Sequence, residues 1–181
     1  AKCNVKVIQT AETVEFDNYQ SELTHLVTNT KRIEWIAKKI NEISLSGNTL
    51  VLVNRISTGK DLEELISDSV FVSGVTKSDV RKEHYDEIAS SEGKTIIATF
   101  GVASVGINLP RIFNVVLIEP GKSFVRTIQS IGRGLRLAND KDFVQIWDIC
   151  STCKFSKRHL SKRKQFYREA EYDYTSEKVD Y

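Results

Sequence analysis

Three short runs of this sequence are apolar at nearly every position, and they constrain the fold more than any other feature. The runs are Thr49–Val53, Thr95–Thr99 and Asn114–Ile118. A β-strand of this composition is typically buried on both faces, as in a parallel sheet covered by helices. Segments whose apolar residues have helical spacing separate the runs. The alternation predicts an α/β fold in which a parallel sheet is sandwiched between helices.

Further elements extend this alternation toward both ends of the chain. Strands are expected at Asn4–Gln9, Val70–Val72 and Phe143–Ile149, and helices at about residues 30–45, Gly59–Ser67, Ser78–Ser90 and Ser123–Leu137. We expect Asn29 or Thr30 to cap the first of these helices and Thr76 to cap the third. The stretch from Thr10 to Leu26 is polar with scattered aromatic residues, and it predicts only a loop or an irregular lead-in.

The loops that follow the strands are the expected location of a binding site. In open parallel sheets, ligands bind beyond the carboxyl ends of the strands. The loops expected at these ends carry both prolines of the chain, and they are Asn54–Thr58, Ser73–Thr76, Phe100–Pro110 and Glu119–Lys122. The sequence therefore predicts a site along one edge of the sheet.

Size and charge narrow the class of protein. A chain of 181 residues can bury one good core, so we expect one domain with an appendage. The net charge of +2 is too small to indicate nucleic-acid binding by itself, so the distribution of charge has to carry that argument. No apolar run approaches the ~20 residues that a membrane helix needs, which predicts no membrane partner. Because the chain begins at Ala1 and contains no methionine, we expect it to be a piece of a longer protein.

The cysteines indicate neither a disulfide framework nor a metal site. Three cysteines, an odd number, favour a reducing compartment, so we expect a cytoplasmic location. Cys150 and Cys153 form a C-x-x-C pair, which supplies only two of the four ligands that a structural zinc site needs. A redox role is no better supported, because the pair follows the last strand of the domain instead of opening a βαβ unit. We assign no metal site.

The helix expected over Ser123–Leu137 has two contrasting faces. One face carries Arg126, Gln129, Arg133 and Arg136, and the other carries Phe124, Ile128, Ile131 and Leu135. Gly132 and Gly134 each destabilise a helix by about 1 kcal/mol relative to alanine, which suggests that another group approaches closely. Guanidinium and amide groups at this spacing suit a polyphosphate. The alternative is a solvated basic face.

The chain nevertheless lacks a phosphate-binding Walker A loop. That loop needs G-x-x-x-x-G-K-[ST] between a strand and a helix. Gly59-Lys60 is followed by aspartate, and Gly93-Lys94-Thr95 runs into a strand instead of opening a helix. The acidic pair Asp86-Glu87 lies within a predicted helix and does not follow a strand. The sequence therefore contains arginines that could contact a triphosphate, but no loop that would bind its phosphates.

This combination resembles the superfamily 2 helicases. Gln129-x-x-Gly132-Arg133-x-x-Arg136 is similar to motif VI of that family, and Ala98-Thr99 followed by Gly106-Ile107-Asn108-Leu109-Pro110 is similar to motif V. Leu52-Val53-Asn54-Arg55 falls where motif IV belongs, and Ser73-Gly74 with Arg81 falls where the next nucleic-acid motif belongs. Order, spacing and strand placement agree over residues 45–150. The resemblance implies a RecA-like domain of the P-loop NTPase type, the second of two motor domains in an ATP-dependent helicase.

The resemblance also implies roles in ATP hydrolysis. Arg133 and Arg136 would reach the γ-phosphate of ATP with Mg²⁺, bound mainly by a first RecA-like domain that this chain does not contain. Gln129 would orient this network, and Gly132 would leave room for the approach of the other domain. In motif V, Gly106 and Asn108 would lie near the nucleotide, although many relatives have aspartate where this sequence has Asn108.

A second set of residues would contact DNA. By resemblance, the sugar–phosphate backbone of the tracked strand would meet Asn54, Arg55, Gly74, Thr99 and Gly101. Backbone contact without base readout is what a motor that moves along any sequence requires. The expected substrates are branched DNAs such as stalled forks, Holliday junctions, D-loops and R-loops, in recombination, repair and replication restart. Two alternatives remain, a double-stranded DNA translocase subunit and a non-catalytic DNA-binding module.

The C-terminal part of the chain carries a basic helix and then acidic residues. Lysine and arginine recur between Lys154 and Arg168, and we expect Lys162, Arg163 and Lys164 to lie on a face exposed to DNA. Leu160, Tyr167 and part of Phe166 would pack against the domain. The alternative is a solvated helix that packs against the domain and has no role in DNA binding. These features predict a lead-in over 1–27, the RecA-like domain over 28–153, and a basic helical extension with an acidic tail over 154–181.

Overall fold

A computed structural model describes residues 2–105, 111–121, 124–135 and 143–181. The strands are β1 (Lys2–Thr10), β2 (Thr49–Val53), β3 (Ser69–Val72), β4 (Thr95–Thr99), β5 (Asn114–Ile118), β6 (Phe143–Ser151) and β7 (Asp173–Val179). The α-helices are α1 (Tyr19–Thr28), α2 (Thr30–Ile43), α3 (Ile56–Leu65), α4 (Ser78–Ala89), α5 (Phe100–Ser104), α6 (Phe124–Leu135) and α7 (Lys154–Glu169), and a 3₁₀ turn follows α2 at Ser44–Ser46. None of the described helices is both long enough and apolar enough to cross a bilayer.

The strands form one seven-stranded sheet in the order β3-β4-β2-β5-β6-β1-β7. Every neighbouring pair is parallel. Because all strands point the same way, their carboxyl ends lie along one edge. The parallel sheet predicted from the apolar runs is confirmed, and the chain crosses from one side of β2 to the other between β4 and β5.

Two separate cores explain why the central strands are apolar at every position. Leu50 and Leu52 of β2 belong to a cluster with buried residues of α4, α5, α6 and α7. Val51 and Val53 of the same strand belong to a second cluster with α2 and α3. Successive side chains of a strand point to opposite faces, so a sheet covered on both faces buries every position. The sandwich of helices is thus confirmed.

The stretch predicted to be irregular contains a helix, α1. Asn18 caps it, because its side chain accepts a hydrogen bond from the Ser21 amide at 2.9 Å. Leu23, Leu26 and Val27 are buried, and so is the carboxylate of Glu22. The prediction of a loop was wrong because only three apolar residues mark the buried face of α1.

The cap predicted for α4 was also wrong. The N-cap position is occupied by Lys77, whose side chain makes no capping hydrogen bond. The Thr76 hydroxyl instead accepts a hydrogen bond from the Ser73 amide at 3.0 Å, within the loop that precedes the helix. For α2, Asn29 is the cap, as one of the two predicted alternatives, with its side chain accepting from the Arg32 amide.

Both ends of the chain join the sheet. The predicted basic helix is confirmed as α7, and the acidic segment after it forms the edge strand β7, which pairs with β1. The hydroxyl of Tyr181 lies 2.7 and 2.8 Å from the two carboxylate oxygens of Glu12, so the last residue is anchored near the end of β1. The division of the chain into segments 1–27, 28–153 and 154–181 stays a prediction.

Candidate functional site

The predicted DNA-contacting residues follow three adjacent strands. Asn54 and Arg55 come directly after β2, Gly74 lies two residues after β3, and Thr99 ends β4. Since β3, β4 and β2 are neighbours in the sheet, these residues meet at one part of its carboxyl edge. Gly101 lies in the first turn of α5, immediately after β4.

Asn54 links two strand ends. Its Nδ2 donates hydrogen bonds to the carbonyl oxygens of Glu119 at 2.9 Å and Ile118 at 3.4 Å. The side chain thereby connects the end of β2 to the turn that follows β5. Arg55 is half-buried, and its Nη2 lies 3.5 Å from Oε1 of Gln20 on α1. Asn54 is therefore engaged within the protein, whereas the guanidinium of Arg55 retains donors for a ligand.

The loop at Ser73–Thr76 is held by its own polar groups. Thr76 donates its amide to the Ser73 carbonyl at 3.1 Å, and Arg81 donates from Nη1 to the same oxygen at 3.3 Å. Gly74 is exposed within this loop, and a Cβ placed on it would meet no protein atom within 4 Å. Neither packing nor a positive φ requires glycine there. The absent side chain leaves the backbone open to an external group.

The end of β4 is shaped by a helix cap. The Thr99 hydroxyl accepts a hydrogen bond from the Val102 amide at 3.3 Å, which starts the short helix α5. Gly101 is exposed on that first turn, and a Cβ on it would lie 3.9 Å from the Thr99 hydroxyl oxygen. The two residues therefore form a small, accessible turn beside the Asn54 loop.

Helix α6 presents the expected two faces over its described side chains. Phe124 and Ile128 are buried, and Arg126 and Gln129 are exposed. Gly132 and Arg133 lie on the same helix. The side chain of Arg133, and the whole of Gly106, Asn108 and Arg136, lie outside the described residues. The nucleotide-contacting roles of these residues stay predictions.

The turn before α6 is held by a buried ionic cluster that sequence reasoning missed. Glu119 has a left-handed backbone with φ of 47°, and it is only 5% exposed. Its carboxylate accepts hydrogen bonds from Arg32 Nη2 at 2.6 Å and from the Ser156 hydroxyl at 3.0 Å. Burial raises the pKa of Glu119, whereas the charge of Arg32 acts to lower it. Groups from α2 and α7 thus fix the turn from which α6 begins.

A second ionic cluster corrects the prediction for Arg163. This residue is 3% exposed, and it pairs with Asp148 through Nε at 2.7 Å and Nη2 at 2.9 Å. Its Nη1 also donates to the Pro120 carbonyl at 2.9 Å. Tyr167 donates its hydroxyl to Asp148 at 2.7 Å, and burial followed by the Asp148 charge raises the pKa of that hydroxyl. The expectation that Arg163 lies on an exposed basic face was wrong.

Helix geometry also separates the other two members of that basic triplet. Successive residues of an α-helix are rotated by about 100°, so three in a row cannot share a face. Lys162 is exposed beside a cavity that Phe124 of α6 also lines, whereas Lys164 is half-buried. Contact of Lys162 or Lys164 with DNA stays a prediction, although the two lysines and Arg163 do not form one exposed patch.

A signal for the two buried arginines was present in the sequence. Arg32 precedes Ile36 by four residues, so it continues the buried stripe of α2. Arg163 follows Leu160 by three residues and precedes Tyr167 by four, so it lies in the buried stripe of α7. A charged residue at such a position needs a buried partner, and here the partners are Glu119 and Asp148.

Comparison with known proteins agrees with this architecture. Residues 12–138 match the family described as the helicase conserved C-terminal domain. The ATP-dependent DNA helicase UvsW of Enterobacteria phage T4 is 28% identical over 153 residues, which are 82% of this chain and 30% of that protein. The chain thus spans less than a third of that relative.

Solved structures share the fold. The crystal structure of T4 UvsW has a TM-score of 0.83 at 23% identity, covering 98% of this chain and 42% of that chain. Domain 2 of the DEAD-box helicase Mss116p, solved with an RNA duplex, has a TM-score of 0.61 at 14% identity, over 98% of this chain and 64% of that one. The sheet and its covering helices are those of a RecA-like helicase C-terminal domain. The chain belongs to the helicase conserved C-terminal domain family, among the superfamily 2 helicases.

Proposed function

We propose that this chain is the second motor domain of an ATP-dependent DNA helicase. The observation that carries the proposal is the meeting of Asn54, Arg55, Gly74, Thr99 and Gly101 at one sheet edge, in a chain of this family. Backbone groups at the Gly74 and Gly101 turns are open to a phosphodiester chain. Contact through such groups is independent of base sequence, which suits a motor.

The proposed role in ATP hydrolysis rests on the residues of α6 and on the lack of a Walker A loop in the sequence. ATP with Mg²⁺ would be bound mainly by a first RecA-like domain, since this chain has no Walker A loop. Arg133 and Arg136 would stabilise the charge that develops on the transferred phosphoryl group. Gln129, which is exposed on α6, would orient these groups. Gly106, Asn108 and Gly132 complete the proposed nucleotide-contacting set.

The proposed substrates are branched DNAs, namely stalled forks, Holliday junctions, D-loops and R-loops. The support is similarity to UvsW, which is a DNA helicase of a phage. The proposed partners are this DNA and the first motor domain of the same protein. The proposed location is the cytoplasm, which would be that of the host cell if a phage encodes the chain.

Substitution of Gly74 by alanine tests the DNA-contacting edge. Since a Cβ at this position would meet no protein atom within 4 Å, the midpoint of thermal unfolding should not fall. A hydrogen bond to a charged group contributes about 1.5–3 kcal/mol, so blocking one backbone contact should weaken DNA binding by roughly tenfold or more. Thermal unfolding and fluorescence anisotropy with labelled single-stranded DNA measure the two effects.

Gly59 provides the matched glycine control. A Cβ on Gly59 would overlap the ring of Phe71, so its replacement by alanine should lower the unfolding midpoint. A Gly74→Ala variant that binds DNA as tightly as wild type would contradict the proposed backbone contact.

The proposed division of the active site makes a further prediction. The isolated chain should hydrolyse essentially no ATP with or without DNA, whereas the full-length protein should show turnover stimulated by DNA. A phosphate-release assay on both proteins measures this, and a strand-displacement assay on a forked substrate separates a helicase from a double-stranded DNA translocase. Robust DNA-stimulated turnover by the isolated chain would overturn the half-site assignment.

A further inference from the structure

An open cavity of about 400 Å³ lies at the carboxyl ends of β1 and β6, and its lining includes none of Asn54, Gly74 and Thr99. One wall is the segment after β1, from Glu12 to Glu15. The other wall is the segment after β6 together with the first two turns of α7. Pockets that bind small groups typically enclose about 300–1,000 Å³, so this cavity can admit a phosphate group with its neighbouring sugars.

Three cationic side chains line this cavity. Lys154, Lys157 and Arg158 lie three and four residues apart on α7, so they project from one side of the helix. Lys154 and Arg158 both lie over the ring of Phe155, each 5.4 Å from its centroid. Within the part of the chain that the structure describes, no carboxylate lies within 4.0 Å of these three cations.

The carboxylates of the cavity do not cancel this charge. Glu12 is already engaged by the hydroxyl of Tyr181, and Arg32 Nε lies 3.5 Å away. Glu15 is the other acidic residue of the lining, and it is exposed to water. Because three cations face two carboxylates in the lining, the cavity keeps an excess of positive charge even with both carboxylates ionised.

The amino end of α7 does not supply the binding groups. The Glu22 carboxylate accepts hydrogen bonds from the amides of Phe155 at 2.9 Å and Ser156 at 2.8 Å. These bonds occupy the amides that a helix terminus would offer to an anion. Recognition in this cavity therefore depends on the cationic side chains of α7 and on the hydroxyl group of Thr13. The hydroxyls of Thr152 and Ser161 also line the cavity, but they donate to the carbonyl oxygens of Glu12 and Lys157.

The cavity continues the edge at which DNA is proposed to bind. In the sheet order, β5 and β6 separate β2 from β1, and all the carboxyl ends face the same side. Three strand spacings of about 4.8 Å amount to roughly 14 Å. Nucleotides in a B-form strand rise by about 3.4 Å each, so about four of them cover this separation. One nucleic-acid molecule can reach both the Asn54 loop and the cavity.

We propose that this cavity is a second phosphate-binding site for DNA, formed by Lys154, Lys157 and Arg158. The proposal rests on the proposed function, because its ligand is the same DNA that the β2–β4 loops would contact. Lys and Arg groups that bind phosphates release condensed counterions, so their contribution to affinity depends on salt. The first two turns of α7 then enlarge the DNA footprint of the domain.

The test compares two double variants of the chain. Lys154→Gln with Lys157→Gln removes two charges from the cavity, and Lys31→Gln with Lys38→Gln removes two exposed charges from α2 on the opposite side of the sheet. Anisotropy titrations across a salt series use a labelled oligonucleotide, single-stranded or annealed to its complement. The cavity variant should bind roughly tenfold more weakly at low salt, with the log–log salt slope smaller by about 1.4–1.8. The α2 variant should keep the wild-type slope.

The outcomes separate this proposal from the proposed function. If Gly74→Ala weakens binding and the cavity variant keeps the wild-type slope, the cavity proposal is overturned and the proposed DNA contact at the Gly74 loop stands. If the cavity variant loses affinity but DNA does not stimulate ATP turnover by the full-length protein, the second phosphate site stands and the motor assignment fails. Equal losses in the cavity and α2 variants would also overturn the site, because they would indicate only a net-charge effect.

Discussion

Replacement of Arg163 by alanine is expected to lower the free energy of unfolding by about 3–5 kcal/mol, because it breaks a buried ion pair and leaves one charge without a partner. Asp148 is fully buried, and the two hydrogen bonds from Arg163 compensate its charge. Burial alone would lower the pKa of Arg163, but the Asp148 carboxylate raises it overall, so the guanidinium remains charged. Urea denaturation followed by circular dichroism measures the loss.

The neighbouring lysines are the matched controls for Arg163. Lys162 is exposed and Lys164 half-buried, so alanine at either position should change stability by about 0.5 kcal/mol or less. A second control replaces Arg163 by methionine, Asp148 by leucine and Tyr167 by phenylalanine together, because Tyr167 donates to Asp148 and would otherwise lose its acceptor. Removing a whole buried ionic cluster is less destabilising than leaving one charge without a partner. An Arg163→Ala protein as stable as wild type would contradict the assignment of this pair as structural.

The fold could be predicted from the sequence because the same pattern, a short run that is apolar at nearly every position, occurs several times. β2, β4 and β5 occur at the predicted positions, and each is apolar because helices cover both faces of the sheet. Errors arose where the signal was weak. α1 has a narrow apolar stripe, and β7 is an exposed edge strand with little apolar sequence to mark it. Local pattern also could not show that β1 inserts between β6 and β7, since that pairing depends on the whole chain.

The candidate site was predictable in its position along the edge, but not in its supporting interactions. Asn54 and Gly74 lie at the carboxyl ends of neighbouring strands, as an open parallel sheet requires. The buried pairs Arg32–Glu119 and Arg163–Asp148 join residues of different elements that are 87 and 15 positions apart in sequence. From the sequence alone, these charged residues are expected at the surface, because charged side chains are mostly exposed. Their partners become identifiable only when the chain is folded.

The two ionic clusters converge on one turn. The Glu119 carboxylate accepts hydrogen bonds from Arg32 of α2 and Ser156 of α7. The Pro120 carbonyl accepts one from Arg163 of α7. This turn leads into α6, which carries Gln129 and Arg133. The Phe124 ring at the start of α6 also packs edge-on against the Tyr167 ring of α7, with ring centroids 5.5 Å apart.

Replacement of Arg133 or Arg136 by alanine in the full-length protein is expected to reduce the rate of ATP hydrolysis by about 10³–10⁵-fold. The physical reason is that a guanidinium that neutralises developing charge on the phosphoryl oxygens acts mainly in the transition state. DNA affinity should change little, because the proposed DNA contacts lie on other loops. A coupled ATPase assay gives the turnover rate, and anisotropy with the same DNA gives the affinity.

Arg126 supplies the control, because it is an exposed arginine on the same helix and outside the motif that contains Arg133 and Arg136. Its replacement by alanine removes the same single positive charge from outside the motif, so turnover should stay within a few-fold of wild type. If the Arg133 and Arg136 variants hydrolyse ATP at the wild-type rate, the proposed motor function fails and a non-catalytic DNA-binding module becomes the better account. If all three variants lose turnover equally, the loss reflects the total positive charge of this part of the chain, and the specific assignment of Arg133 and Arg136 is wrong.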